Sequence, residues 1–286
     1  MIRPEELSPG EYPAFLEALH GHLLVIAVEI RRICDAHGLV YCLVGGSLLG
    51  AVRHRGFIPW DDDMDIGLPR EDYERFLRLC GTELGSAFEL VTTRNGGYGL
   101  PFAKIMLKGT VFRERNAPQY DCGNGIYVDV FPLDRIPDGG LARKLYQLNT
   151  LFFRYALLKK CGYRDTNPRV TLWKRFVSVY ARCHSKRFLA KKMDRSATAF
   201  NGRRTACYFN TGTAYPFGRE VFAEESLAAP LPELPFEGIM FRVPRHADAV
   251  LRQLYGDYMV LPPEDQRYNR HGIVNVDFGD GEAPEE

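Results

Sequence analysis

The residue pattern predicts a mixed α/β fold (α+β), a β-sheet core flanked by helices, with a mainly helical part following it. Three observations carry this expectation. Residues Tyr12 to His37 repeat apolar side chains at helical spacing. A short strand, a glycine pair, a helix and a second strand succeed one another between Tyr41 and Leu68. The composition then changes at Pro137-Asp138-Gly139-Gly140, the clearest internal boundary, beyond which basic helical patterns replace short strands.

On the first helix, Phe15, Ala18, Leu19, His22, Leu23, Val25, Ile26 and Ile30 form a wide apolar face. Tyr41 to Val44 is a short apolar run closed by Gly45 and Gly46, and a helix over 47–54 and a strand over 63–68 follow. The helix over 70–82 starts behind Pro69, a normal first-turn position, and buries Tyr73, Phe76, Leu77 and Cys80. Short strands are expected at 87–92, 101–107, 110–113 and 126–131, with Asn95-Gly96-Gly97 as a turn between the first two. Leu141 to Lys160 and Leu172 to Phe200 read as two helices. Strands near Cys207 to Thr211 and Met240 to Val243 and a helix from Pro244 to Tyr255 complete the pattern. The chain therefore divides into a core at 1–136, a helical region at 137–205, a C-terminal part at 206–276 and a disordered tail at 277–286.

The chemistry concentrates in YCLVGGSLLGAVRHRGFIPWDDDMDIGL, residues 41–68. A glycine turn opening a helix can wrap a phosphate with backbone N–H groups, so Gly45, Gly46 and Ser47 are candidate phosphate ligands. Arg53, His54 and Arg55 trail that helix, where cations are favourable in any case and can also meet a phosphate. Asp61, Asp62, Asp63 and Asp65 then form an acidic block. On a strand from Asp63, Asp63 and Asp65 point the same way, roughly 6–7 Å apart, with Met64 and Ile66 on the other face. A generic acidic run is a solvated loop. Two aspartates inside an apolar strand pattern are costly unless a cation balances them, which favours a seat for a hard divalent ion. Together these residues point to a metal-dependent phosphoryl or nucleotidyl transfer site.

GGSLLGAVRHRGFIPWDDDMDIGL closely resembles the signature of the LicD family, whose catalytic unit belongs to the nucleotidyltransferase superfamily. That superfamily carries a Gly-Gly/Ser turn after its first strand, an Asp-x-Asp on the next, and a third acidic residue on a later strand. GIYVDVFPLD at 125–134 supplies Asp129 in the third position, and Tyr255, Gly256, Pro262, Pro263, Arg267 and His271 follow the family's C-terminal order. The resemblance implies a nucleotidyltransferase-like mixed sheet, completed at its active site by the C-terminal part. It implies transfer of a substituted phosphate, such as phosphocholine or a polyol phosphate, from a CDP-linked donor to a sugar hydroxyl of a surface glycan or lipid-linked saccharide, with release of CMP. In that scheme Asp63, Asp65 and Asp129 are the catalytic metal ligands for Mg²⁺ or Mn²⁺, and Asp129 takes the hydroxyl proton. Asp61 and Asp62 orient the site, and Arg267 and His271 contact substrate. The nearest rival is a nucleotidyltransferase moving an NMP unit from an NTP with release of pyrophosphate. A metal-dependent glycosyltransferase is a more distant one, because it has no need of the upstream Gly-Gly-Ser.

Other features fix the setting. Net charge is +1, from 37 basic and 36 acidic residues, so nothing global draws the chain to nucleic acid or membrane. No apolar run reaches the ~18–20 residues of a bilayer span, the best being broken by Glu29, and the start MIRPEELSPGEYP lacks a signal peptide's apolar core. Seven scattered cysteines without a C-x-x-C pair point to reduced thiols and a cytoplasmic location. Lys104, inside PFAKIML, either snorkels at a sheet edge or reaches a phosphate. Arg182, Lys186, Arg187, Lys191 and Lys192 make either a solvated helix face or a contact with an anionic acceptor or the inner membrane surface.

Overall fold

The computed structural model describes residues 1–93, 98–115, 124–164, 171–213, 215–267 and 272–279. The Asn95-Gly96-Gly97 turn and His271 lie outside them.

A seven-stranded mixed sheet forms the centre, flanked by helices as the sequence predicts. Its strands are β1 (Cys42–Leu43), β2 (Asp65–Pro69), β3 (Phe88–Val91), β4 (Ala103–Leu107), β6 (Tyr127–Ile136), β7 (Cys207–Asn210) and β8 (Val221–Ala223). The order runs β1-β2-β6-β4-β3, with β7 joined to β6 and β8 to β7. β2 and β6 are parallel; all other neighbours are antiparallel. β6 is long enough to serve two partners on one side, pairing its start with β4 and its end, from Leu133, with β7. Pro132, which has no N–H to offer a ladder, sits between those two pairings. Two small two-stranded sheets lie apart from the central one: the hairpin of β9 (Glu233–Phe236) with β10 (Ile239–Arg242), and the long-range pair of β5 (Val111–Glu114) with β11 (Ile273–Asp277).

Helix α1 (Tyr12–Ala36) packs on β4, β6 and on α3 (Arg70–Glu83). Leu19, Ile26, Ile30 and Ile33 on its apolar stripe are wholly buried. By length and composition α1 is apolar enough to cross a bilayer, which corrects the expectation that no segment qualifies. Glu29 does not break it, because its carboxylate leaves the core face to accept from Arg32 Nε at 2.7 Å and from the Gly85 N–H at 2.8 Å.

Several features differ from expectation. β2 begins at Asp65, so residues 61–64 run as irregular chain and the acidic block is a loop, not a strand. The single helix expected over 172–200 is two, α5 (Leu172–Cys183) and α6 (Lys186–Ala197). His184 turns extended and Ser185 starts α6 by accepting the Phe188 N–H on its hydroxyl at 3.2 Å, an N-cap that the helical periodicity concealed. Lys104 does not snorkel at an edge, since β4 lies inside the sheet. Ordered chain runs past Val276 into the expected tail: Asp277 closes β11 and Phe278 meets Phe15, ring centroids 5.9 Å apart.

A buried knot helps to fasten the helical region to the sheet. Asp134 on β6, with no exposed surface, accepts Arg70 Nε and Nη2 at 2.7 Å each, Asn201 Nδ2 at 2.7 Å and Thr211 Oγ1 at 2.8 Å. Burial works against the Arg70 charge, but the Asp134 carboxylate outweighs it and raises its pKa. A buried carboxylate without such partners would cost several kcal/mol, so the pair locks α3 to the segment after α6.

Candidate active site

The site assembles where the chain enters β2 and β6. In their parallel register Asp65 stands opposite Asp129, and Asp129 stands opposite Lys104 of β4. Three candidate side chains thus form one row across three strands. Lys104 is 4% exposed; its Nζ lies 3.5 Å from Asp129 Oδ1, 3.9 Å from Glu114 Oε1 and 3.0 Å above the centre of the Tyr127 ring. Glu114 also accepts the Tyr127 hydroxyl. Lys104 is therefore committed to Asp129, with its surroundings fixed by the tyrosine and Glu114.

The glycine turn faces this row. Val44 is extended, and Gly45 opens α2 (Gly45–Arg53) with φ +54°, a left-handed conformation that only glycine adopts cheaply. A Cβ at Gly45 would stand 2.9 Å from Asp65 Oδ2, and one at Gly46 would stand 2.6 Å from Asp61 Oδ2. Both glycines thus let carboxylates approach the turn closely, and at Gly45 the left-handed backbone adds to the need for glycine. Ser47 is buried, and its Oγ accepts the Asp65 N–H at 2.8 Å, so its first task is to hold the aspartate that begins β2.

Carboxylate oxygens of Asp61, Asp62 and Asp63 can all lie within 4.8 Å of one another. Asp62 is only 2% exposed. Burial raises the Asp65 carboxyl well above its usual range, and the charges of Asp63, Asp129, Glu220 and Asp61 push it further. A hard divalent cation fits such an all-oxygen set, because its charge would relieve the mutual repulsion. Asp62, expected only to orient the site, belongs to the closest group of oxygens.

Of the other candidates, Arg53 donates from Nη1 to the Tyr258 carbonyl at 2.7 Å and from Nε to His54 Nε2 at 2.9 Å. Burial and the Arg53 charge lower the His54 pKa, consistent with a neutral ring accepting that bond. Arg267 lies over the Trp60 ring at 5.5 Å, and its charge, after burial, helps to lower the Arg53 pKa. Arg53, His54, Trp60 and Arg267 thus gather beside the acidic block. Arg55 is not drawn in; it is exposed, at φ +60°, and its carbonyl accepts the Glu237 N–H at 3.0 Å.

His20, Glu220, Tyr215 and Arg154 escaped the sequence reading. His20 on α1 holds the acidic loop through the Asp61 carbonyl at 2.8 Å, its ring stacked on Phe57 at 4.0 Å. Glu220 is 1% exposed; it accepts the Gly45 N–H at 3.1 Å and Asn210 Nδ2 at 3.0 Å. Tyr215 and Tyr255 share a hydroxyl–hydroxyl bond nearby, and both phenols are raised first by burial, with the Glu220 charge adding to it. Arg154, on α4 (Gly140–Lys160), donates to the Thr213 carbonyl, and Thr213 in turn bonds Glu220. A cavity of about 700 Å³ lies at the other end of β2, against Arg70, Tyr73, Phe102, Lys186 and Met193, away from the carboxylates.

Residues 38–149 match the family model described as LicD/FKTN/FKRP, nucleotidyltransferase domain. The chain carries a LicD-family domain. This LicD domain holds the glycine turn, the acidic block, Lys104 and Asp129, and the match ends within α4. The chain is 27% identical over 254 residues to the lipopolysaccharide cholinephosphotransferase LicD of Haemophilus influenzae, covering 84% of this chain and 90% of that protein. It is 38% identical over 143 residues to the ribitol 5-phosphate transferase FKRP of Mus musculus, covering 49% of this chain but only 25% of that protein. The human FKRP is 38% identical over 112 residues, 39% of this chain and 20% of its own length.

Glu220 supplies a test of the site's electrostatics. Burial raises its carboxyl to about 7, against the opposing hydrogen bonds from Thr213, Asn210 and the Gly45 N–H. A carboxyl raised in the folded state stabilises while protonated, fully below its ordinary 4.5, and that contribution is lost as pH rises through about 7. In chelator-treated protein, Glu220→Gln should therefore flatten the fall in Tm between about pH 5 and about pH 8. Parallel melting curves for variant and wild type across that range would refute it.

Proposed function

We propose that the chain transfers a substituted phosphate from a CDP-linked donor to a sugar hydroxyl of a surface glycan or lipid-linked saccharide, releasing CMP. The coarser statement, an enzyme transferring phosphate-containing groups, follows from its LicD domain and its cholinephosphotransferase and ribitol 5-phosphate transferase relatives. The observation carrying the finer one is the in-register Asp65–Asp129 pair facing a glycine turn.

Transfer at phosphorus asks the protein for positioning and charge neutralisation rather than covalent participation. Amides of Gly46 and Ser47, at the positive end of α2, receive the donor phosphate, while Arg53 and Arg267 meet the remaining diphosphate charge beside Trp60. The acceptor oxygen forms the new bond to phosphorus, the bond to CMP breaks, and CMP leaves with the electron pair. Asp129 takes the hydroxyl proton; Lys104, 3.5 Å away, keeps that carboxylate in place. Asp63, Asp65 and Asp129, with Asp61 and Asp62 at their side, would hold Mg²⁺ or Mn²⁺. Such an ion supplies charge neutralisation at the transferring phosphate. The cytoplasm is the proposed compartment, on the strength of the scattered cysteines.

Incubation with CDP-choline, CDP-ethanolamine, CDP-glycerol and CDP-ribitol in Mg²⁺ should release CMP with at least one of them and a saccharide acceptor. Pyrophosphate release from an NTP, with no CMP from any of the four, would replace this reading by NMP transfer.

A further inference from the structure

The helical region carries an apolar surface that its own packing does not use. On α4, Leu141, Leu145 and Leu148 are 71%, 57% and 65% exposed. They fall within one narrow arc of the helical wheel, opposite the face that sends Arg154 to Thr213. On α5, Leu172, Trp173, Phe176 and Val179 are exposed in the same stripe-like fashion, while Val177 and Ala181 face inward. Ring contacts join the two stripes: Phe152 meets Phe176 at 6.2 Å and Tyr155 meets Trp173 at 5.1 Å. The result is a continuous aliphatic and aromatic surface over two helices.

Charge decides what covers it. Residues 140–200 hold 15 of the chain's 37 Lys and Arg but only two of its 36 Asp and Glu, so this stretch carries +13 and the remainder −12. Neither α4 nor α5 contains an acidic residue. Lys144, Arg175 and Arg182 are exposed on these helices. A second copy of the same surface would press like charges together. A leucine- and aromatic-rich face within a cationic belt instead matches a bilayer interface with anionic headgroups.

We propose that α4 and α5 dock this chain on an anionic lipid bilayer, Trp173 and Phe176 entering the interface and Lys144, Arg175 and Arg182 meeting the headgroups. The strongly divided charge orients the molecule, with its acidic remainder turned from the membrane. An enzyme held this way meets lipid-linked acceptors on a surface rather than from bulk solution.

Sedimentation with phosphatidylcholine vesicles, with and without phosphatidylglycerol, tests this directly. The intact chain should pellet with the mixed vesicles, weakly with phosphatidylcholine alone, and less as salt rises. Trp173→Glu with Phe176→Glu, and separately Arg175→Glu with Arg182→Glu, should each weaken binding at least about ten-fold. Circular dichroism and CMP release with a water-soluble acceptor should stay at wild-type level, since α5 packs on α4 and none of these side chains belongs to the candidate site. In a Trp60→Phe background the remaining tryptophan, Trp173, should shift its emission to the blue on vesicle addition. Equal binding to both vesicle types, no binding to either, or a dimer dissolved by Trp173→Glu with Phe176→Glu would overturn the proposal. Vesicle binding involves no donor, so its failure leaves the CDP-dependent chemistry standing, and the reverse holds as well.

Discussion

Asp65→Asn should reduce transfer by about 10²–10³-fold, the scale on which one missing electrostatic contact to a reacting centre is felt, while raising the Tm of the metal-free protein. Both effects have one cause. Asp65 begins β2 beside Asp129; burial raises its carboxyl, and the charges of Asp63, Asp129, Glu220 and Asp61 push it further. At neutral pH the folded, metal-free chain bears the cost of that crowded negative charge, and an amide of the same shape removes it. Replacing a carboxylate by an amide also weakens the seat for a divalent cation and its hold on the transferring phosphate. Ser47 and Val44 fix the Asp65 backbone through its N–H and carbonyl, so the substitution leaves the strand start in place. The pair of measurements is Tm in chelator and CMP release in saturating Mg²⁺. An active variant, or one less stable than wild type in chelator, would remove Asp65 from the centre of the site.

How much of this was legible follows from where each signal lies. Asp129 could be placed because a charge interrupted a β-branched strand pattern, and the structure sets that strand beside Asp65 in register. Same-face geometry for Asp63 and Asp65 assumed a strand two residues too long. The acidic loop is instead shaped by contacts that periodicity cannot report, such as His20 on the Asp61 carbonyl. Lys104 was placed on the correct strand, but its partner was hidden, since pairing of β4 with β6 is a long-range choice. Glu220 was illegible for a stronger reason: it lies 175 positions from Gly45 and sits in a polar stretch resembling surface. Only the return of β7 and β8 to the far end of β6 brings it to the glycine turn. The break between α5 and α6 was missed because a serine N-cap is a weak local signal inside a long apolar repeat.

Gly46→Val should lower affinity for the CDP donor by about 100-fold, the effect of roughly 3 kcal/mol of overpacking at a close approach. A Cβ at this position stands 2.6 Å from Asp61 Oδ2, inside any real contact distance, and valine adds two methyl groups beyond it. The Asp61 carboxylate can swing aside for a single Cβ, but valine's branches ask for a larger shift beside a backbone that His20 holds through the Asp61 carbonyl. The substitution therefore attacks the phosphate cradle and the carboxylates together. Gly46→Ala should be milder, because a carboxylate end can move a few tenths of an ångström. Ser47→Ala acts differently: it leaves the Asp65 N–H without its hydroxyl acceptor, about 1–3 kcal/mol in a buried setting, and should appear first as lost stability. Calorimetry with CDP-choline or whichever donor proves active, alongside thermal melts of all three variants, separates these outcomes. Wild-type donor affinity in Gly46→Val would mean that phosphate does not approach the turn, and the anion site would have to move to the Arg53 and Arg267 side of the acidic loop.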